Sequence, residues 1–235
     1  MHTSPPSRKA VKRSASTIRK FYRGESFGPD FEDAIDTLLA FRSGFAKPLV
    51  SVNGSLRGFC LTDGIYADVT QRLKKTTTIL DKLTRHPQLD LSKMQDIGGC
   101  RVVTQNIEDL RTVEKRIRRR WATTLKFESD YITTPRESGY RGLHLIVERH
   151  NHLIEVQLRT QLMHHWALTV ERFSTVAGQN LKQDGNHVIQ EFMKLHSRHD
   201  ATVEGLTNEP FSPDELDKLR RLRPEVLAYL GVASN

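Results

Sequence analysis

The sequence predicts an α+β fold: a mixed β-sheet flanked by helices, with further helices at the N- and C-terminal ends. Three observations lead there. Apolar residues recur at helical spacing in several windows. Short apolar segments bounded by turn residues lie between those windows and read as strands. The stretch GYRGLHLIVERHNHLIEVQLRT, residues 139–160, reads as two strands folded back at His150-Asn151-His152. That hairpin makes one strand pair antiparallel, while the interleaving of strands and helices requires crossovers, so the sheet is mixed.

The elements follow in order. GPDFEDAIDTLLAFRSGF has an acidic start and apolar residues at Phe31, Ile35, Leu38 and Leu39, which is helical spacing. PLVSV, Pro48 to Val52, reads as a short strand, followed by a glycine-containing loop. A helix is expected from about Tyr66 to Thr84, ended by His86-Pro87. CRVVTQ reads as a buried strand, and Ile107, Leu110, Val113 and Ile117 mark one face of a helix reaching Trp121. Strands near Leu125 to Ile132 and in the hairpin precede a helix from Gln161 to Phe173. Two more helices are expected around His187–His196 and Pro213–Leu230, beyond a soft boundary at Gly178 to Gly185.

The 235 residues, 37% of them hydrophobic, suffice for one large domain with a small appendage. No apolar run approaches the ~18 residues a membrane helix needs, and no apolar secretory core stands near the N-terminus. No membrane partner is therefore expected. Cys60 and Cys100 lie far apart, so neither a structural zinc site nor a disulfide framework is expected, and a reducing cytoplasm fits. The formal net charge of +8 favours an anionic partner. Residues 1–23 carry seven cations and no acid and are rich in Ser and Pro, which reads as a flexible basic arm. A second cluster, Arg111, Lys115, Arg116, Arg118, Arg119 and Arg120, lies on the predicted helix at 107–121; it is either a solvated helix face or a patch for a polyanion.

Four constellations carry chemistry. In RLKKTTTILDKL, Lys74, Thr78 and Lys82 fall at i, i+4 and i+8. On a helix they form one stripe, either a solvated face or a rail for phosphates. In MQDIGGCRVV, Asp96 precedes two glycines and a strand, a place for a turn or for a Mg²⁺-binding carboxylate. Arg101 enters that apolar strand and needs a partner, which an anion would supply. In DYITTPRESGYRGLH, Arg136, Tyr140, Arg141 and His144 offer an aromatic face among phosphate donors. On the last strand, Val156 and Leu158 take one face while Glu155, Gln157 and Arg159 share the other. His164-His165 has the wrong spacing for a zinc protease motif.

Taken together, these stretches resemble the synthetase domain of the RelA/SpoT family in its small single-domain form, from about Pro48 to Phe173. The matching motifs are Arg72-x-Lys74, Thr78 and Lys82; Asp96 to Arg101; Asp130 to His144; and Glu155 to Thr160. The resemblance implies a nucleotidyltransferase-like sheet. It also implies a pyrophosphokinase that moves the β,γ-pyrophosphate of ATP to a ribose 3′-hydroxyl and releases AMP. By position, Arg72, Lys74, Thr78, Lys82 and Arg101 would hold ATP, Asp96 and Glu155 would bind Mg²⁺, and Glu155 would take the hydroxyl proton with Gln157 and Arg159 supporting it. Tyr140 would stack on the acceptor base, with Arg136, Arg141 and His144 around it. Thr78, Arg136, Ser138 and Gly142 depart from the residues usual in these motifs, where Gly142 replaces a common serine.

The resemblance leaves three acceptors open: the 3′-CCA end of tRNA in a translation-blocking toxin, GTP or GDP in an alarmone synthetase, or an adenine nucleotide. The basic arm and the arginine cluster favour tRNA. A toxic member would have an antitoxin partner, and small relatives suggest a homo-oligomer. A catalytically dead RNA-binding module is the reading from another class; the intact Asp96 and Glu155 oppose it.

Overall fold

Ile154, Val156 and Leu158 are fully buried. Glu155, Gln157 and Arg159 alternate with them, so the strand β5 (His152–Thr160) gives one face to the core and presents a polar row on the other. The computed structural model describes residues 5–25, 27–178, 181, 187–229 and 231. β5 lies in a five-stranded sheet of order β1-β2-β5-β4-β3, with β1 (Ala67–Leu73), β2 (Gly98–Thr104), β3 (Leu125–Asp130) and β4 (Leu143–Arg149). β2 and β5 are parallel and the remaining neighbours antiparallel, which is the mixed sheet expected.

Helices α1 (Arg8–Tyr22), α2 (Pro29–Ser43) and α3 (Ala46–Thr62) precede the sheet. α4 (Thr76–Arg85) follows β1, and α5 (Ile107–Arg120) follows β2. α6 (Gln161–Ala177), α7 (Val188–Val203) and α8 (Pro213–Tyr229) close the order. The main core gathers Leu49, Val52 and Leu56 of α3 with Leu110, Val113 and Ile117 of α5 against the apolar face of the sheet. A second cluster joins Tyr140 to Trp166 and Val170 of α6, Ile189 and Met193 of α7, and Val226 of α8.

Three expectations are corrected here. Residues 48–52 are not a strand but part of α3. Leu49, Val52, Leu56 and Cys60 are all buried, at the spacing of one helix face, and Pro48 sits in the first turn, where its missing N–H costs nothing. The helix expected from Tyr66 to Thr84 is a strand, a short link and a helix. β1 is an edge strand in which only Val69 is buried, so it carries no apolar alternation, and its pairing with β2 overrides local preference. The basic arm is helical over Arg8–Tyr22. Val11, Ala15 and Ile18 recur at helical spacing inside the cationic run and are buried, and Ser7 caps the first turn by accepting from Ala10. The boundary expected at 178–185 falls largely outside the described residues.

Candidate active site

Partners in register on neighbouring strands point to the same face, and this builds the site. Gly99 pairs with Glu155 and Arg101 with Gln157 in the parallel ladder. Gln157 pairs in turn with His144 on β4, and Arg101 with Thr70 on β1. The polar row therefore crosses the central strands of the sheet.

Asp96 stands in the turn before β2. Lys74, in the link between β1 and α4, and Lys82 on α4 both donate to its Oδ2, at 2.9 and 3.0 Å. The link is pinned from both sides: the Lys74 N–H donates to the Ile97 carbonyl at 2.8 Å, and Arg42 Nε donates to the Lys74 carbonyl at 2.7 Å. Burial pushes the Asp96 carboxyl up, but the two ammonium groups outweigh it and hold the group below its ordinary range. Asp96 Oδ1 is buried and makes no hydrogen bond. Asp96 and Glu155 line one cleft of about 340 Å³, with Lys82, Lys93, Arg136 and His144 around them.

Glu155 accepts from both sides. His144 Nδ1 lies 2.9 Å from Oε1, and Gln157 Nε2 donates to Oε2 at 2.8 Å. Burial raises the carboxyl's pKa; the bonds from His144 and Gln157 more than reverse this, so Glu155 also lies below its ordinary value. It is ionised at neutral pH and each oxygen keeps a lone pair for a further partner.

On the other side of Glu155 a smaller cleft of about 110 Å³ is lined by Arg72, Gly99, Arg101 and Gln157. Burial holds the Arg101 guanidinium below its usual range, with Arg159 and Arg72 adding like charge. Arg101 Nε is buried without a hydrogen-bond partner. Two guanidinium groups facing one cleft form a place for an anion or a flat π-system.

Asp96 and Glu155 fit Mg²⁺. Among the described residues no group of three or more His, Cys, Asp or Glu side chains gathers for a metal ion. Two carboxylates, one with a buried and unpartnered oxygen, suit an ion that keeps several waters and takes further ligands from phosphates.

The structure brings together Arg72, Lys74, Lys82, Asp96, Arg101, Arg136, His144, Glu155 and Gln157. Thr78 is exposed on α4, one turn before Lys82. Lys74 shares no helix with it, yet both lysines reach Asp96. Tyr140, expected to offer a stacking face, is only 7% exposed. Arg136 lies instead over the Tyr131 ring, 4.4 Å from its centroid. Arg141 does not line the cleft of Asp96 and Glu155: it donates to the Ile132 carbonyl at 2.9 Å and faces Met163, Trp166, Asp200 and Glu204. Three of the six cations of the cluster on α5 are paired with carboxylates. Arg111 pairs with Glu114 and Asp130, Arg116 with Asp63, and Arg118 with Glu114 and Glu128. Lys93, which lines the main cleft, was not singled out from the sequence, where a lone lysine in a turn carries no periodic signal.

Comparison with known proteins agrees with this geometry. The profile described as "Region found in RelA / SpoT proteins" matches residues 71–172. The GTP pyrophosphokinase YjbM of Bacillus subtilis is 34% identical over 155 residues, covering 61% of this chain and 69% of the relative. The small alarmone synthetase 1 of Bacillus subtilis, solved with its product pppGpp, superposes with a TM-score of 0.61 at 24% identity, covering 81% of this chain and 98% of that one. The small alarmone synthetase 2 of the same organism gives 0.54 at 23% identity, over 67% of this chain and 90% of that one. With a polar sheet face carrying Asp96, Glu155 and two sets of cations, and with these relatives, the chain belongs to the RelA/SpoT family of pyrophosphotransferases.

Proposed function

We propose that this protein transfers the β,γ-pyrophosphate of ATP to the ribose 3′-hydroxyl of GTP or GDP and releases AMP. The observation that carries the reading is one cleft holding two carboxylates between separate groups of cations. Arg72 and Arg101 flank the smaller cleft and suit the adenine end of ATP. Lys74 and Lys82, now on Asp96, are placed to exchange it for phosphate oxygens, with Thr78 beside Lys82. Arg136, His144 and Lys93 line the acceptor side. Asp96 and Glu155 would hold Mg²⁺, which neutralises charge on the phosphates when bound.

In the reaction the 3′-oxygen attacks the β-phosphorus and the bond from that phosphorus to the α,β-bridging oxygen breaks. AMP leaves with the bridging oxygen, and the hydroxyl proton passes to Glu155. A carboxylate this acidic is a weak base. The reading is consistent because phosphoryl-type transfer rests mainly on in-line positioning and charge neutralisation, not on strong base catalysis. The name of the Bacillus relative and the product bound in its solved neighbour support a guanosine acceptor.

A second reading, the 3′-CCA end of tRNA with arrest of translation, is favoured by one observation. A trough of about 930 Å³ is lined by Arg8, Lys9, Lys12, Lys93 and Phe127. It shares Lys93 and Met94 with the catalytic cleft. Phe127 is 57% exposed. Cations with an exposed aromatic form a surface that single-stranded nucleic acid binds. The deciding experiment incubates the protein with γ-labelled ATP, Mg²⁺ and GTP, GDP, ATP or deacylated tRNA in parallel. Label on GTP or GDP supports the first reading and label on tRNA the second. No transfer to any acceptor, or transfer undiminished in Glu155→Gln, overturns both.

A further inference from the structure

We propose that Arg19 is a positioning residue for ATP: from α1 it fixes the C-terminal end of α4, and through it Lys82. The proposal rests on the pyrophosphokinase reading and deepens the part that Lys82 plays in it.

α4 ends where its own hydrogen-bond ladder fails. The last four carbonyls of a helix have no partner inside it. The Lys82 carbonyl accepts from the His86 N–H at 3.1 Å. The Leu83 carbonyl would accept from the residue four positions on, but that residue is Pro87 and has no N–H. Leu83 is fully buried, so a donor from elsewhere in the chain has to serve its carbonyl. Arg19 supplies that donor. Its Nε donates to the Leu83 carbonyl at 3.2 Å, and its Nη2 donates to the Leu89 carbonyl. A planar guanidinium with fixed donors can span two carbonyls in this way. Its positive charge also suits the negative end of the α4 dipole.

Both carbonyls belong to the wall of the site. Leu83 follows Lys82, whose ammonium group reaches Asp96 at 3.0 Å. Leu89 lines the cleft of Asp96 and Glu155, with Lys82 and Lys93 beside it. Arg19 does not line that cleft, so it acts from behind it. Its neighbour Ile18 is fully buried in the same core as Ile79 and Leu83 of α4. The start of α4 is held in the same manner, since Arg42 of α2 donates to the Lys74 carbonyl at 2.7 Å. α1 and α2 are joined by Phe21 and Phe31, whose rings stack with centroids 3.8 Å apart. The two N-terminal helices thus grip the segment from Lys74 to Leu89 at both ends, with one arginine each. α4 has only ten residues, too few to be stable alone, so the direction of Lys82 depends on these outside contacts.

The test measures Arg19→Met, Lys82→Met and the double variant beside the unaltered protein, as rates per folded protein at varied ATP and acceptor. Methionine keeps the apolar stem of Arg19 and removes its donors. Arg19→Met is expected to lower kcat/KM for ATP about 10- to 100-fold, the scale for a displaced binding group, and to leave the acceptor KM within about twofold. In the Lys82→Met background the same substitution should change kcat/KM for ATP by less than about twofold, because the group it positions is gone. A merely structural role predicts lower stability with kcat/KM unchanged, or losses that add in the double variant, and either result overturns the proposal. If Arg19→Met does not fold, Arg19→Lys runs through the same cycle. It keeps the charge but lacks the fork for two carbonyls, so a smaller loss of the same pattern is expected. Hydrogen exchange gives a readout free of activity: residues 76–90 should exchange about tenfold faster or more in the Arg19 variant, with β2 unchanged. Unchanged exchange at 76–90 overturns the proposal. If no acceptor is ever labelled, the pyrophosphokinase reading fails, and the exchange result still decides whether Arg19 fixes α4.

Discussion

Lys74 and Asp96 form an ion pair of 2.9 Å between the end of β1 and the start of β2, with side chains 12% and 23% exposed. It ties the link into α4 to the turn that carries the carboxylate. With Lys82 on the same oxygen, the protein holds the two lysines proposed to bind phosphate on its own anion, at a spacing close to that a phosphate oxygen would take.

Removing that anion leaves two ammonium groups facing each other. Asp96→Asn is expected to lower stability by about 1.5–3 kcal/mol, the range for hydrogen bonds to charged groups. ATP should return part of the loss by giving the lysines phosphate oxygens. Transfer should fall by about 100-fold or more, the scale for loss of an electrostatic stabiliser. Thermal melts with and without ATP, beside the labelled-transfer assay, check all three.

The pH dependence follows from the same two carboxylates. Asp96 and Glu155 both lie below their ordinary values of 3.8 and 4.5. A depressed folded-state pKa means that the stabilisation is complete above the unfolded value and is lost as pH falls through the folded one. Stability from Glu155 should therefore be flat from neutrality down to about 4.5 and decline only below it. Urea titrations of the unaltered protein and Glu155→Gln across this range should show a constant difference above that pH and a shrinking one beneath. A difference that closes between pH 5 and 7 would contradict the ionisation assigned here.

How much of this was legible in the sequence depended on whether local pattern and tertiary packing agreed. β5 was readable because Val156 and Leu158 alternate with Glu155, Gln157 and Arg159, and the sheet uses that alternation directly. The segment at 48–52 reads as a strand because a five-residue window shows β-branched residues, while the helical period of Leu49, Val52, Leu56 and Cys60 appears only over a longer one. β1 could not be read from its own residues, since its partner β2 makes it a strand. The identities in the polar row were visible, but their directions were not. Tyr140 and Arg141 are turned by α6 and α7, and the bond from Ser197 to Gly139 spans 58 positions.

The trough beside the cleft predicts a separation between acceptors. Lys9→Glu with Lys12→Glu should weaken RNA binding and reduce the slope of log K against log salt by roughly 0.7 for each phosphate that is no longer neutralised. Labelling of GTP should stay as it was, because neither lysine lines the cleft that holds Asp96 and Glu155. Filter binding of tRNA over a salt series measures this. An unchanged slope would remove the trough as a nucleic-acid surface and with it the structural support for the tRNA reading.

Arg101 sets binding against stability. It is partly buried, its Nε has no partner, and Arg72 and Arg159 add like charge. Such an arrangement costs stability in the absence of an anion and is retained where a ligand needs it. Arg101→Met keeps the length and apolar stem of the side chain and removes the charge. The ligand-free variant should therefore be more stable, by roughly 1 kcal/mol. Its KM for ATP should rise about tenfold or more, since a charged hydrogen-bonding partner is worth about 1.5–3 kcal/mol. The acceptor KM should hardly move, because Arg101 lines the smaller cleft and not the one that holds Arg136 and Lys93. Urea unfolding and initial rates at varied ATP and acceptor measure the two effects separately. A variant that loses stability as well as ATP affinity would show that Arg101 has a structural partner outside the cleft, and the assignment of that cleft to ATP would fall with it.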